Sequence, residues 1–392
     1  MDVVEHFRNT DGFYFSPDLQ IRQLENRGNS VVCTKDIPAG ELLIKVPLSM
    51  LLTRSSKQGS KTDSKSSRSN SFNISSRIDT SQSDKSKNLS SFTDSSISKK
   101  NGGAVTTGTT STASTATSDG LDTHEELALM VLEKRKSRKD PWISSFPDDF
   151  DTMCYFWPDS EWKKLPSLYK SKVVAQKEYV ENFARKANLS LKDAAWAWAS
   201  VNTRCLYWNE GGMALVPVID YLNHTCDKAD GLDVGSNAQG FYAKTQRSYK
   251  AGEEVSFCYG PHENACLMVH YGFYVEDNPW DFVSLDDGVT SDLMAYKNTL
   301  IDEGLWLNWT LDLDGAPDFL TEIALTVCDS TKDLRQAMKM GLVKPGQFIG
   351  GRLQAIVMNL IHMYSEYVDS RNPFLAQYFG RMLYILDKAS GY

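Results

Sequence analysis

The chain reads Val-Pro-Val-Ile-Asp-Tyr-Leu-Asn-His-Thr-Cys from Val216 to Cys226 and Ala-Gly-Glu-Glu-Val-Ser-Phe-Cys-Tyr-Gly from Ala251 to Gly260. A third segment, His-Tyr-Gly-Phe-Tyr, follows from His270 to Tyr274. The middle segment predicts a strand that leads to Tyr259, and the glycine directly after this tyrosine lets the chain turn sharply. These segments, in this order, are more informative about fold and function than the rest of the sequence.

The composition sets the broad class of the protein. The 392 residues are enough for two domains with separate cores. The formal net charge of −8 gives no support for a nucleic-acid partner. Seven cysteines without a Cys-x-x-Cys pair predict reduced thiols in an intracellular protein. The six histidines also lack metal-ligand spacing, so we expect no metal site.

The sequence shows no sign of export or of membrane insertion. The N-terminus, Met-Asp-Val-Val-Glu-His, is acidic and lacks the apolar stretch of a secretory signal. No apolar run has the length that is needed to cross a bilayer. We therefore expect a soluble monomer in the cytoplasm, the nucleus or both, without a membrane partner.

The N-terminal part predicts strands followed by a polar insertion. Apolar runs at Val31–Val32 and Leu42–Val46 flank a turn around Pro38–Gly40, which predicts a β-hairpin. Residues 53–122 are rich in Ser, Thr, Lys, Asn and Gly, and we predict disorder because so few apolar residues cannot offset the entropy of ordering. Both a tolerated surface loop and a phosphorylated or partner-binding insertion remain open for this segment.

Helices are predicted after the insertion and towards the C-terminus. The run that begins at Glu125 has helical spacing, and Asp122 or Thr123 is suited to cap it. Short apolar strands alternate with turns from Met213 to Phe257. The other predicted helices are Tyr169–Ala187, Leu191–Val201, Ser291–Glu303, Asp318–Cys328, Lys332–Met340, Pro345–Asp369 and Pro373–Lys388.

The predicted fold class is α+β. A β-rich domain is interrupted by a helical segment and is followed by an all-helical domain. In sequence order the segments are 1–52 (first part of the β-rich domain), 53–122 (disordered insertion), 123–200 (inserted helices), 201–282 (second part of the β-rich domain, with the quoted motifs) and 283–392 (C-terminal helices).

The quoted motifs resemble the SET-domain protein methyltransferases. The shared features are an Asn-His-x-Cys element at 223–226, a Gly-Glu-Glu strand that runs into Tyr-Gly, and an aromatic Tyr-Gly-Phe. A predicted helix that leads to Arg204 resembles the subgroup of the Rubisco large-subunit methyltransferase and the fungal ribosomal-protein lysine methyltransferases. The resemblance covers Arg27 to Val46 and Glu125 to Phe282. It implies a SET-type pseudoknot and a C-terminal helical domain that binds the substrate.

The resemblance implies S-adenosylmethionine as the cofactor, with Arg204 directed at its carboxylate. The family usually has Gly-x-Gly where this chain has Gly28-Asn29-Ser30, which puts the affinity for the cofactor in question more than its identity. The residues that match cofactor-binding positions of the family are Arg27, Gly28, Asn29, Arg204, Asn223, His224 and Tyr259.

The resemblance also implies that Tyr259 is the catalytic residue. Methyl transfer from a sulfonium requires an unprotonated nitrogen in line with the departing sulfur, so positioning and local electrostatics supply most of the catalysis. A fixed hydroxyl beside the transferring methyl group serves both purposes. Without the resemblance, a tyrosine at the end of a strand is more often a packing residue.

The expected acceptor pocket is apolar and aromatic. Such a channel holds the stem of a lysine and lowers the pKa of its ammonium by partial desolvation. A related histidine methyltransferase has an amide side chain where this chain has Leu206, and a leucine cannot hydrogen-bond an imidazole. Lysine is therefore the expected target. The pocket residues are Thr203, Leu206, Asp220, Phe257, Tyr271 and Phe273.

The sequence thus predicts an S-adenosylmethionine-dependent protein-lysine N-methyltransferase. The resemblance implies a non-histone protein substrate, with a ribosomal protein or a translation factor as the expected class. Two alternatives remain open. One is a catalytically silent SET-fold protein that serves as an interaction scaffold, and the other is a protein-histidine methyltransferase.

Overall fold

The computed structural model describes residues 3–25, 27–54, 120–208, 212–328 and 350–390, together with residues 336 and 340. Most of the insertion predicted at 53–122 lies outside the described residues. The same holds for most of the helix predicted at Lys332–Met340 and for the start of the one predicted at Pro345–Asp369.

The helices are concentrated between residues 123 and 202 and beyond residue 264. Short 3₁₀ turns lie at Leu48–Met50, Cys154–Phe156, Ile219–Tyr221 and Asp286–Gly288. The α-helices are α1 (Val3–Phe7), α2 (Thr123–Ser137), α3 (Pro141–Ser144), α4 (Asp159–Trp162), α5 (Ser167–Lys186), α6 (Leu191–Asn202), α7 (Asn264–His270), α8 (Ser291–Met294), α9 (Lys297–Asp302), α10 (Phe319–Cys328), α11 (Gly350–Ser365) and α12 (Pro373–Ala389).

The strands form small sheets. The strand orders are β1-β4-β10-β9, β2-β3-β11-β8, β5-β7-β6 and β12-β13. The strands are β1 (Tyr14–Phe15), β2 (Leu19–Leu24), β3 (Gly28–Cys33), β4 (Leu42–Pro47), β5 (Leu52–Thr53), β6 (Leu206–Trp208), β7 (Gly212–Leu215), β8 (Asn223–His224), β9 (Leu232–Asn237), β10 (Gly240–Thr245), β11 (Glu254–Phe257), β12 (Val283–Ser284) and β13 (Thr310–Leu311).

The predicted hairpin between Val31–Val32 and Leu42–Val46 is wrong. These runs do form strands, but β3 pairs with β2 and β11, whereas β4 pairs with β1 and β10. The chain does turn at the predicted place, where Gly40 has a φ of +87°. However, the connection at 34–41 is longer than the loops that impose a hairpin, and it carries the chain from one sheet to the other. Each buried strand thereby gains a partner on both sides.

The helix predictions agree more closely with the structure. Asp122 caps α2, because its side chain accepts a hydrogen bond from Glu125 N while the Glu125 side chain accepts one from Asp122 N. The helices α5, α6, α10 and α12 lie close to their predicted bounds. The helix predicted at Ser291–Glu303 is instead divided into α8 and α9.

The strand β11 brings the sequence motifs together. It pairs in parallel with β8, with Ser256 opposite Asn223 and Phe257 opposite His224. It also pairs with β3 in the antiparallel direction, with Glu254 opposite Val32. The Asn-His element therefore lies beside the strand that leads to Tyr259, and the strand that begins at Gly28 lies on the other side of β11.

Among the described residues, the apolar core consists of two clusters. The first joins the sheets of the β-rich part to helices α2 and α6. The second buries one face of α12 against α7, α11 and β12. This arrangement has the predicted α+β class, with additional helices at the C-terminus. Within the described ranges, no helix has both the length and the apolar character that a membrane span requires.

We predict that Gly240→Ala destabilises the fold severely. Gly240 has a φ of +138°, and an added Cβ would lie 2.0 Å from Val46 O and 2.9 Å from Pro47 Cα. These atoms belong to the backbone of the neighbouring strand and cannot move away without breaking the pairing of β4 with β10. We expect the free energy of unfolding, measured by urea titration, to fall by roughly 3 kcal/mol or more.

The matched control is Gly252→Ala. Gly252 also has a positive φ, +90°, but in the part of the chain that the structure describes no atom lies within 4 Å of an added Cβ. Only backbone strain of about 1 kcal/mol is expected there. Equal losses in the two variants would contradict the steric argument for Gly240.

Candidate functional site

The segment that contains β8 fixes Tyr259, the residue two positions beyond the end of β11. The Tyr259 hydroxyl donates a hydrogen bond to Leu222 O at 2.8 Å, and Tyr259 N donates one to His224 Nδ1 at 3.1 Å. Burial lowers the pKa of His224 to about 4, so its imidazole is neutral at pH 7 and can accept at Nδ1. Both the backbone and the phenol of Tyr259 are therefore held in place.

Aromatic rings surround Tyr259. The centroid of its ring lies 4.9 Å from that of Phe257, 5.1 Å from His224, 5.3 Å from Tyr271 and 6.3 Å from Phe273. We call these five residues the aromatic cluster. Burial raises the pKa of both tyrosines above the ordinary value of 10, so both phenols keep their protons at neutral pH. The cluster thus offers apolar ring faces together with neutral hydroxyl groups.

A polar network lies on the other side of β8. Asn223 Nδ2 donates hydrogen bonds to Ser30 Oγ at 2.8 Å and to Glu254 Oε1 at 2.7 Å. The second oxygen of Glu254 forms an ion pair with Arg27 Nε at 2.8 Å. We call Arg27, Ser30, Asn223 and Glu254 the amide network. It ties together the starts of β3, β8 and β11.

Gly28 and Asn29 lie next to the amide network. Gly28 has a φ of +70°, and no atom of the described residues lies within 4 Å of the position that a Cβ would occupy. The glycine is thus required by its backbone conformation, and the space beside it is open. Asn29 Nδ2 donates to Ser145 O at 3.4 Å, which links β3 to the inserted helical segment.

Asp220 forms a second buried polar group. Trp142 Nε1 lies 3.1 and 3.0 Å from its two carboxylate oxygens, and Arg204 Nε lies 3.8 Å from Oδ2. Burial raises the pKa of Asp220 from 3.8 to about 6, although Arg204 and the indole N–H oppose this shift. Arg204 also donates to Thr203 Oγ1 at 2.6 Å, and its guanidinium lies 4.7 Å from the ring centroid of Phe146.

The structure brings most of the predicted residues together, in three adjoining groups. Electrostatic interactions of Tyr259 with Arg204, Asp220, Arg27 and Glu254 connect the groups. Leu206 begins β6 opposite Ala214, and its position beside the acceptor stays a prediction. Arg204 is engaged by Asp220, Thr203 and Phe146, so its role towards a cofactor carboxylate also stays a prediction.

Sequence reasoning missed the contribution of helix α3. Besides Trp142, this segment supplies Ser145, whose hydroxyl contacts the Tyr221 hydroxyl. Asp140 caps α3 by accepting hydrogen bonds from Trp142 N and Ile143 N, and the Asp-Pro pair could have indicated a helix start. No local signal, however, links this helix to a carboxylate 78 residues further along the chain.

Sequence reasoning also passed over Ser30 and Glu254 as site residues. In the sequence, Ser30 stands out only as a departure from the glycine of the family, and Glu254 only as part of a motif. The structure gives both side chains a partner in Asn223. Within the described ranges, no group of three or more His, Cys, Asp or Glu residues is arranged to hold a metal ion, and all seven cysteines are free thiols.

Comparisons with known proteins agree with this geometry. The sequence matches the SET domain family over residues 28–260, which is more than half of the chain. The protein therefore belongs to the SET domain family. The resemblance inferred from the motifs is confirmed.

The curated relatives differ in their target residue. The ribosomal lysine N-methyltransferase set11 of Schizosaccharomyces pombe is 30% identical over 166 residues, which are 40% of this chain and 42% of that protein. The actin-histidine N-methyltransferase of Danio rerio is 30% identical over 198 residues, which are 43% of this chain and 33% of that protein. The matches thus span less than half of either relative.

Solved structures also resemble this protein in fold. The structure of Rubisco LSMT bound to AdoMet has a TM-score of 0.60 at 14% sequence identity, and the match covers 100% of this chain and 91% of that one. The SET domain of LSMT bound to lysine and AdoHcy has a TM-score of 0.58, and the match covers 99% of this chain and 89% of that one. The predicted fold, a SET domain with C-terminal helices, is confirmed.

We predict that Trp142→Phe destabilises the protein more at pH 8 than at pH 5. A carboxyl whose pKa is raised on folding stabilises the folded state, and this contribution is complete below pH 3.8, the ordinary pKa of the group. The contribution is lost as the pH rises through the folded-state pKa of about 6. Loss of the indole N–H raises the pKa of Asp220 further, so the penalty is largest where the carboxylate is ionised. We expect the loss at pH 8 to exceed that at pH 5 by about 1 kcal/mol or more, measured by urea unfolding.

Trp196→Phe provides the control. Its Nε1 donates to Pro147 O at 2.9 Å, and a backbone carbonyl does not titrate. The loss of stability in this variant should be the same at both pH values. A pH-independent loss in Trp142→Phe as well would show that the indole contributes only packing.

Proposed function

We propose that this protein is an S-adenosylmethionine-dependent protein-lysine N-methyltransferase. Its expected substrate is a non-histone protein, with a ribosomal protein or a translation factor as the class. The observation that carries the proposal is the anchored hydroxyl of Tyr259 inside the aromatic cluster, across strand β8 from the amide network. Membership of the SET domain family and the names of the relatives support the reaction type.

The residues present fit the proposed cofactor. S-adenosylmethionine carries an ammonium, a carboxylate and ribose hydroxyls, so its pocket needs both donors and acceptors. Asn223 Oδ1 has no hydrogen-bond partner among the described residues, and open space lies beside Gly28. We assign cofactor binding to Arg27, Gly28, Asn29, Arg204, Asn223, His224 and Tyr259. When bound, the cofactor supplies an electrophilic methyl group on its sulfonium.

Tyr259 is the proposed catalytic residue. Its hydroxyl hydrogen is donated to Leu222 O, so the phenol oxygen keeps its lone pairs available as acceptors. An oxygen acceptor stabilises a methyl group that carries partial positive charge, and a fixed acceptor requires no reorganisation during the reaction. The hydrogen bond to Leu222 O thus fixes the position of the phenol oxygen through a contact within the protein itself.

The aromatic cluster is proposed to receive the target side chain. Apolar rings hold the alkyl stem of a lysine, and partial desolvation lowers the pKa of its ammonium so that the neutral amine becomes accessible. The lysine preference rests on Leu206, which offers no hydrogen-bonding group to an imidazole. We assign substrate contacts to Thr203, Leu206, Asp220, Phe257, Tyr271 and Phe273.

Docking of the protein substrate is assigned to the helices of residues 283–392, in keeping with the family resemblance. The alternative of a silent scaffold has only the Gly28-Asn29-Ser30 departure in its favour. Tyr259 is hydrogen-bonded to His224 and to Leu222, and Asn223 is hydrogen-bonded to Glu254 on the strand that leads to Tyr259, which favours an enzyme.

We expect Tyr259→Phe to reduce turnover by about 100-fold or more while S-adenosylmethionine still binds. The loss of one oxygen that acts in the transition state typically costs about 3–4 kcal/mol. Single-turnover methylation and calorimetric titration measure the two effects separately.

Tyr249→Phe is the matched control for this experiment. Tyr249 is also buried, and its hydroxyl also donates to a backbone carbonyl, Asp230 O, at 2.7 Å. Its loss should lower stability but leave turnover per folded molecule unchanged. Turnover of Tyr259→Phe within about twofold of wild type would remove Tyr259 from the mechanism.

The target residue is tested by tandem mass spectrometry of the methylated product. We expect the methyl group on lysine, because Leu206 offers no partner to an imidazole nitrogen beside it, and a buried nitrogen without a partner costs roughly 1–3 kcal/mol. Leu206→Asn should lower lysine methylation by adding a polar group to the apolar channel. Methylation of histidine with unmodified lysines would overturn the lysine assignment in favour of the histidine alternative.

A further inference from the structure

The amide of Asn223 has a defined orientation. A primary amide offers two N–H donors on one side and one carbonyl oxygen on the other. The Glu254 carboxylate, which is paired with Arg27, offers only acceptors, so the nitrogen of Asn223 must face it. The second N–H is directed at Ser30 Oγ at 2.8 Å. Both donors are therefore engaged within the protein.

The oxygen of the Asn223 amide is available to a ligand. Asn223 Oδ1 has no hydrogen-bond partner in the described part of the chain, and the residue is only partly buried. A carbonyl oxygen accepts from a donor, and a cationic donor binds it more strongly than a neutral one. Because both N–H donors of Asn223 are engaged within the protein, the side chain can act towards a ligand only as an acceptor.

From this we infer that Glu254 and Ser30 are positioning residues, which orient the Asn223 amide so that its oxygen receives the α-ammonium of the cofactor. The inference rests on the proposed function and assigns a role to two residues that the family resemblance left without one. Neither residue has to touch the cofactor, because each acts through Asn223.

The surroundings of both residues suit this role. The Glu254 side chain is 17% exposed, and its two oxygens are divided between Asn223 and Arg27. Arg27 also donates from Nη2 to His224 O at 3.4 Å, so the ion pair is tied to the same strand that carries the amide. A rotation of the Asn223 amide would bring its oxygen against a carboxylate, which is repulsive.

Ser30 replaces the second glycine of the family's Gly-x-Gly. It is fully buried, and its hydroxyl requires a partner in that environment. A glycine here would leave one N–H of Asn223 with only the distant carbonyls of Arg27 and Asn29, at 3.4 and 3.5 Å. The departure from the family motif therefore adds a hydrogen bond that restrains the amide.

The test compares two ligands in calorimetric titrations of the full chain. S-adenosylhomocysteine carries the α-ammonium, and its deamino analogue carries a hydrogen in that place. In Glu254→Gln the new amide can present either its oxygen or its NH₂ group, so the orientation of Asn223 is no longer defined. We expect the Kd of S-adenosylhomocysteine to rise about 10-fold or more, and that of the deamino analogue to change less than about threefold.

Glu253→Gln is the matched control, since Glu253 is the adjacent carboxylate and forms an exposed ion pair with Arg247 at 3.0 Å. It should leave both Kd values unchanged. Ser30→Ala gives an independent variant if Glu254→Gln does not fold. It should also weaken S-adenosylhomocysteine selectively, by about threefold to tenfold.

The outcomes separate this inference from the proposed function. An equal rise in the Kd of both ligands would show that the residues have only a general structural role. Unchanged Kd values in Glu254→Gln and Ser30→Ala would show that they have no role in binding. Either result overturns the inference and leaves the proposed function intact. If the wild-type protein binds neither ligand, the proposed function fails and the inference fails with it.

Discussion

The site depends on the parallel pairing of two residues, Asn223 and His224, with the end of strand β11. This register directs the Asn223 amide towards Glu254 and the His224 imidazole towards the backbone of Tyr259. It also places Leu222 O under the Tyr259 hydroxyl. A shift by one residue would turn every side chain of so short a strand to the opposite face and would separate all of these partners.

The polar groups of the site are held by partners inside the protein. Tyr259, Asn223 and Asp220 each have defined hydrogen-bond partners inside the protein. A buried polar group without a partner costs about twice what a satisfied hydrogen bond contributes, so these partners hold the side chains in defined orientations. Orientation that is set during folding does not have to be established during the reaction.

The inserted helical segment is part of the site. Trp142 binds both oxygens of Asp220, the Ser145 hydroxyl contacts that of Tyr221, and Phe146 lies under the guanidinium of Arg204. Residues between the two halves of the β-rich part thus contact groups that belong to the second half and help to hold them in position. The likeness to LSMT structures at 14% identity shows that this fold tolerates extensive change of sequence.

The sequence alone determined the local features. Helix α2 and its cap at Asp122 follow from spacing and side-chain chemistry within a few residues, and the motifs around Asn223 and Tyr259 identified the family. The tertiary structure decided which strands pair, so the expected hairpin was wrong, and it decided that Trp142 reaches Asp220 and that Ser30 and Glu254 hold Asn223. The physical reason is the sequence separation over which each kind of interaction acts. Caps and periodicity act between neighbours in sequence, whereas strand partners and buried hydrogen bonds are selected by the free energy of the whole fold.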